Sequence, residues 1–396
     1  MTFNTSPSYP RLRSLSSAIA ILATVACAAC QPAASKPTPS ASLSISATPL
    51  RACPLGSRPS NPQVLASGQP APDDLAFDNV GRLLFSDVNT GSVSLLQPDG
   101  SIQRIAGGLS EPEGIVVQAD GRILVAEQGK NRIVAIDPQT HAVTTWRDFV
   151  NRTSHPGIDG IGPILPSRDA NGQALPNGGD VLVPDSPNGV LWAVGPDGKT
   201  ATRLTSGMSR PVGAAVDGAG HILVTDEGGA LWILDPSRRR LATLPTPDDV
   251  VVSSDGHIFV TTLGDNGIHE LDSQGRQLGV TSGIVQPQGL ALDAADNLYY
   301  TAFNGGQVAR VVRTYVLGRP TVHRIATNRY VVCPLVQRAP GYTGPLSLVT
   351  ESRIHIDVRA EVQPGTDSSG ALEIETEAPS ITISIGRLSQ TVALNS

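Results

Sequence analysis

From about residue 62 to residue 335, apolar and polar positions along the chain repeat one template six times. The template is Pro, any residue, Gly or Asp, an apolar triplet, a turn, a second apolar run and often an acid. It opens at Pro72-Asp73-Asp74-Leu75-Ala76-Phe77, Pro112-Glu113-Gly114-Ile115-Val116-Val117 and Gly157-Ile158-Asp159-Gly160-Ile161. The later openings are Pro211-Val212-Gly213-Ala214-Ala215-Val216, Pro247-Asp248-Asp249-Val250-Val251-Val252 and Pro287-Gln288-Gly289-Leu290-Ala291-Leu292. Each leads to a second run, such as Leu83-Leu84-Phe85-Ser86 or Ile222-Leu223-Val224-Thr225. The turns between them, among them Asp120-Gly121 and Asp255-Gly256, are those that tight hairpins favour. A third run, for example Ala230-Leu231-Trp232-Ile233-Leu234, and a fourth complete the unit. Four antiparallel strands repeated six times predict a six-bladed β-propeller, because radial stacking buries both faces of each small sheet.

The stretch Pro62-Gln63-Val64-Leu65-Ala66-Ser67-Gly68 has the pattern of an orphan fourth strand, like Arg203-Leu204-Thr205-Ser206-Gly207, and is expected to complete the sixth blade. After Gln337 the template stops. Ile354, Ile356 and Val358 alternate with polar residues, as do Ile381, Ile383 and Ile385, and Leu372-Glu373-Ile374-Glu375 has the same rhythm. That alternation predicts three or so half-buried strands, either packed on the propeller or forming an interaction appendage. The fold class is therefore all-β, a six-bladed β-propeller with a small C-terminal β appendage.

Composition agrees with a turn-rich chain. Gly and Pro supply 40 and 32 of the 396 residues, whereas Asp, Glu, Lys and Arg make only 16%. A net charge of −6 with no basic stripe argues against nucleic-acid binding.

At the N-terminus, Arg11 and Arg13 precede the apolar run Leu15 to Ala26, which is short for a membrane span. The run ends in Val25-Ala26-Cys27-Ala28-Ala29-Cys30, and residues 31–52 are rich in Pro, Ser, Thr and Ala. Small residues before a cysteine resemble the lipobox of bacterial lipoproteins, which implies lipidation of Cys30, with Cys27 as the alternative. An ordinary cleaved signal with incidental cysteines is the other reading. The expected organisation is a lipoprotein signal peptide (1–30), a flexible linker (31–52), the propeller (53–336) and a C-terminal β-rich extension (337–396). Such a protein is exported to the cell envelope and reaches the membrane only through its lipid anchor. Cys53 and Cys333 sit in matching Cys-Pro-Leu settings and are expected to pair in that oxidising compartment, two buried thiols being the alternative. In the chain-entropy model so long a loop contributes up to roughly 5 kcal/mol.

Two template positions carry candidate chemistry. The residue before the opening Gly or Asp is, in order, Asp73, Glu113, Asp159, Val212, Asp248 and Gln288. Inner strands line a propeller's channel, so these residues are expected at one mouth, where gathered carboxylates repel unless a cation compensates. Calcium or another divalent cation suits such oxygen ligands, and no other cofactor is indicated. A second set, Asp87, Glu127, Asp185, Asp226, Thr262 and Ala302, returns to the same face, giving eight carboxylates there. Its acids either join the site or cap neighbouring loops.

The repeats resemble the NHL repeat and the related gluconolactonase (regucalcin-like) propellers across about residues 62 to 335. That resemblance implies one metal held above the channel by a Glu, an Asn and an Asp, the Asp also acting as general base toward a sugar lactone. Glu113-Gly114 and Asp159-Gly160 look like the Glu and Asp elements, and Asp248 has a similar template position. No inner strand opens with Asn-Gly and no Trp comes after the Glu motif, so Gln288 would stand in for the amide. The metal set is then Glu113, Asp159, Asp248, Asp73 and Gln288, and the catalytic set Asp159, Asp248 and His155, the histidine as proton shuttle. A nucleophile elbow, a His-Glu-x-x-His helix, a phosphate loop and a cofactor fingerprint are all missing from the sequence. The leading expectation is a surface-tethered binding or scaffold propeller presenting its acidic face to a protein, carbohydrate or other small ligand. The alternative is a divalent-metal-dependent lactonase or esterase, so whether the chain is an enzyme stays open.

Overall fold

The first repeat forms the strands Pro72–Phe77, Leu83–Asp87, Ser92–Leu96 and Ile102–Gly107, hydrogen-bonded in that order as one antiparallel sheet. The computed structural model describes residues 61–150, 156–165, 179–235, 237–340, 342, 346–352, 355–362 and 372–394. The signal, the linker, Cys27, Cys30, Cys53 and His155 lie outside them. Burial explains the pattern of each blade. The second and third strands are buried at every position because both faces are covered, whereas the fourth strand, Ile102–Gly107, is largely exposed. The repeats opening at Pro112, Pro211 and Pro247 give four-stranded sheets of the same order.

The third repeat departs from the template. Its regular strands are Val181–Asp185, Val190–Val194 and Ala201–Ser206. Its opening runs as extended chain that donates from Gly162 and Leu165 N–H to the Leu182 and Asp180 carbonyls. Most of the insertion that stretches this repeat, residues 166–178, is outside the described residues.

The sixth sheet draws on both ends of the repeat region. Pro287–Leu292, Leu298–Ala302 and Gln307–Val311 are completed by Gln63–Ser67, which pairs antiparallel with Gln307–Val311, as the sequence predicts. Asn61 fastens the joint, accepting from Val312 N–H at 2.9 Å and donating to Val312 O at 3.3 Å.

Hydroxyls stitch neighbouring blades together. Thr261 Oγ1 accepts from Asp249 N–H in its own blade (2.8 Å) and donates to Gln288 O of the next (2.7 Å). Thr225 links Gly213 to Asp248 O in the same way, and Thr301 links Gly289 to Asp73 O. In two blades an Asp replaces the opening glycine and reaches across. Asp74 accepts from Ile115 N–H and Asp249 from Leu290 N–H, each at 2.7 Å. Where glycine remains, the backbones nearly touch. A Cβ on Gly114 would strike Gly160 and Ile161, and one on Gly160 would strike the Val212 carbonyl. These links join six sheets among the described residues into a closed ring, a β-propeller. Gly160→Ala is therefore expected to cost about 1–3 kcal/mol through overpacking. Gly218→Ala, with nothing within 4 Å of its Cβ, is expected to be near neutral. Guanidinium denaturation of the two variants makes the comparison.

The C-terminal part is larger than the alternation suggests. Tyr315–Ala326, Arg329–Arg338 and Leu372–Glu375 make one sheet, and His355–Val362, Leu346–Ser352, Ser380–Ile385 and Leu388–Ala393 make another. Tyr330, Val332, Ile374, Ile381, Ile383 and Ile385 bring both into one core. The Cys333-Pro334-Leu335 stretch thus lies in this region, not in the last blade, and the boundary expected at 336/337 falls inside Arg329–Arg338. The matching Cys-Pro-Leu setting concealed the change because Arg329–Arg338 is as apolar as a blade strand. Attachment is to the sixth blade. Asn297, fully buried in the turn that ends its inner strand, donates to Tyr315 O at 2.8 Å. That turn lies at the end of the strand away from the Pro287 opening, so the extension docks on the face opposite the openings.

Candidate functional site

The inner strands begin at one mouth of the channel, and there Asp73, Asp159 and Asp248 line a narrow pocket of about 20 Å³ together with Asp74, Asp249 and Val212. Glu113 joins them electrically: its carboxyl is pushed well above the usual range by burial first, then by the charges of Asp159 and Asp73. Gly289, and not Gln288, contributes the sixth blade's share of the lining. Three acids of the first template set thus line one pocket, and the fourth, Glu113, shares the Gln128 amide with Asp159.

The second set does not join them. Asp87 accepts from Ala71 N–H at 3.1 Å and Thr90 N–H at 2.9 Å. Asp226 accepts from Ser209 and Arg210 N–H and from the Trp232 indole, and Glu127 accepts from Ser110 N–H, Lys130 and Arg132. Asp185 holds Asn188 and the Trp192 indole. Asp87, Glu127 and Asp226 thus cap the loops that lead into the inner strands and Asp185 is held by side chains of its own blade, so the expected surface of eight carboxylates reduces to the first set and its neighbours.

Three residues the template did not single out complete the mouth. Arg210, just ahead of the fourth opening, places its guanidinium 2.5 Å from Asp159 Oδ2 and 3.1 Å from Glu227. Gln128 donates to Asp159 at 3.1 Å and also to Glu113. The signal in the sequence was Arg210 itself, the one basic residue that directly precedes a template opening. Burial raises the Asp159 carboxyl, while Arg210 and bonds from Glu113 and Gln128 hold it down.

Asp73 and Asp248 stand differently. Each residue is more than nine-tenths buried, at 7% and 8% exposure, and its carboxylate faces the pocket, where no described donor bonds it and solvent still reaches it. Burial, then the charges of Asp159 and further acids, push both well above the usual carboxylate range. Asp249 is raised to about 7, again chiefly by burial.

The oxygen donors suit a hard cation in kind, but their arrangement does not fit one bound directly. Among the described residues no three Asp, Glu, His or Cys side chains are gathered so as to hold a metal ion. Asp159, the centre of the expected metal set, has one oxygen, Oδ2, already bonded by Arg210 and Gln128. The expected ligand Gln288 is not among the residues that line the pocket, and the bond it accepts from Thr261 is at its backbone carbonyl. His155, expected beside Asp159, lies outside the described residues.

Comparison with known proteins gives the fold a context. No family model matches the chain. A curated relative, the human E3 ubiquitin-protein ligase TRIM32, is 26% identical over 245 residues, which are 58% of this chain and 34% of that protein. The chain thus spans about a third of the curated relative's length. A gluconolactonase from Xanthomonas campestris superposes with a TM-score of 0.53 at 17% identity, covering 65% of this chain and 98% of that one. A calcium-binding regucalcin from Agrobacterium tumefaciens gives 0.52 at 14% identity, covering 64% and 94%. At these identities the likeness is one of fold: the structural neighbours are gluconolactonase- and regucalcin-like propellers.

Proposed function

We propose that this protein is a surface-tethered binding propeller whose acidic channel mouth takes a cation. The observation that carries the reading is the pair Asp73 and Asp248, buried carboxylates that no described group satisfies. A buried charge without a partner costs several kcal/mol, and a bound cation removes that cost. Asp159 gives the contrast, since its Oδ2 accepts from both Arg210 and Gln128. Support for the tether is the lipobox-like stretch ending at Cys30. Support for a Cys53–Cys333 bond is the burial of Cys333 and its engagement in a disulfide.

A second reading, a divalent-metal-dependent hydrolase of lactones or related esters, is favoured by the meeting of Glu113 with Asp159 at the mouth and by the fold likeness. It requires Arg210 to release Asp159.

Calorimetric titration of the full-length chain with calcium, manganese and methylammonium chlorides tests both. At least one cation is expected to bind wild type stoichiometrically and to lose tenfold or more in affinity with Asp73→Asn or Asp248→Asn. The raised carboxyls add a sign: affinity should fall as the pH drops from 8 to 5, because protons then compete for the same oxygens. A folded wild type that takes up no cation at pH 8 would retire the binding reading. Lactone turnover that depends on calcium or manganese would establish the second reading instead.

A further inference from the structure

Below the mouth the channel continues as a cavity of about 290 Å³ with predominantly apolar walls, among them Leu75, Ile115, Val116, Val250, Leu290 and Leu292. Asp74, Ile161 and Asp249 line both spaces and so mark where they meet. A cation entering from solvent therefore meets buried carboxylates first and hydrocarbon next. A bare ion has no use for the second part.

We propose that the ligand of the mouth is a primary alkylammonium, with its NH₃⁺ among Asp73, Asp248, Asp74 and Asp249 and its hydrocarbon chain along the apolar channel. This rests on the cation-binding reading above and names the class of cation. Asp73 and Asp248 supply the independent sign of a ligand, since both are more than nine-tenths buried, line the pocket and have no described partner. An ammonium group carries three donors and binds at hydrogen-bond distances of about 2.7–3.2 Å. Direct calcium ligation needs oxygens at about 2.3–2.6 Å, gathered six to eight at a time. The described carboxylates are not gathered for the second task and suit the first. Asp74 and Asp249 each bond two backbone N–H groups, from Leu75 and Ile115 and from Val250 and Leu290, which leaves a lone pair on each oxygen for a further donor.

The test is a calorimetric series on the full-length chain at pH 8 with methylammonium, n-butylammonium and n-hexylammonium chlorides, calcium chloride and 1-hexanol. Affinity is expected to rise about fourfold per added methylene, the ratio that burying a CH₂ group gives, so hexylammonium should bind roughly 15-fold more tightly than butylammonium. Asp73→Asn, which sacrifices no described hydrogen bond, should lower hexylammonium affinity at least tenfold while its circular dichroism stays that of wild type. Asp249→Asn provides a second, independent loss. A flat series, with methylammonium or calcium bound as tightly as hexylammonium, overturns the alkyl assignment and leaves the cation reading standing. Hexanol bound as well as hexylammonium also overturns it. A chain that binds no cation at all overturns both.

Discussion

Asp73→Asn combined with Asp248→Asn is expected to raise the melting temperature of the ligand-free protein at pH 8 and to change it little near pH 4. The reason is linkage. Both carboxyls are raised in the folded state by burial and by the acids around them, so the folded protein holds protons that the unfolded chain has already released. Stability contributed in this way is present at low pH and is lost as the pH climbs above the unfolded carboxylate value of about 3.9. Removing two of the charges should return on the order of 1–2 kcal/mol, or roughly 2–6 °C in a domain of this size. Differential scanning calorimetry at pH 4, 6 and 8 decides it. The idea fails if the double variant melts at or below wild type at pH 8. The same variant should lose cation affinity, so the mouth would be a place where stability has been given up for binding.

Deleting residues 61–68 is expected to have a larger effect. Gln63–Ser67 is the outer strand of the sixth sheet, and without it Gln307–Val311 becomes a bare edge while Asn61 no longer holds Val312. An unprotected edge invites pairing with other chains. The loss should be about 5 kcal/mol or more, comparable with the whole stability of a typical domain. Size-exclusion chromatography should show oligomers or aggregate, and guanidinium unfolding should lose its single cooperative transition. A monomeric deletion variant unfolding at the wild-type midpoint would show that this strand is not what closes the ring.

The architecture was legible because a blade is a local object. Its strands are adjacent in sequence, its turns are marked by Asp-Gly, and its burial appears as apolar runs, so even the displaced strand at 63–67 could be matched to its counterpart at 203–207. The gathering of Asp73, Glu113, Asp159 and Asp248 was legible for the same reason, equivalent template positions being equivalent places in a ring. The hidden part depended on side-chain choices within that ring. Asp87 and Asp73 are both acids near the mouth, yet one turns into its own loop to cap backbone N–H groups and the other faces the pocket without a partner. Nothing in the alphabet distinguishes them. Arg210 falls outside the template by one residue, and its bond to Asp159 spans two blades. Cys333 misled because the strand that carries it has a blade-like composition but pairs with Tyr315–Ala326.

The joint in the sixth sheet has a kinetic consequence. Inner-strand bonds between consecutive blades connect residues a few tens of positions apart, such as Asp74 with Ile115, whereas Asn61 and Val312 are separated by 251. Bringing such distant segments together carries the largest loop entropy in the ring and should come late in folding. Before that moment the five other sheets can stand in sequence as an open arc, in which Asp73 and Asp248 are not yet held across the channel from each other. A ligand that needs both carboxylates would then recognise only the circular form, and its dissociation rate would set a ceiling on how often the circle can open.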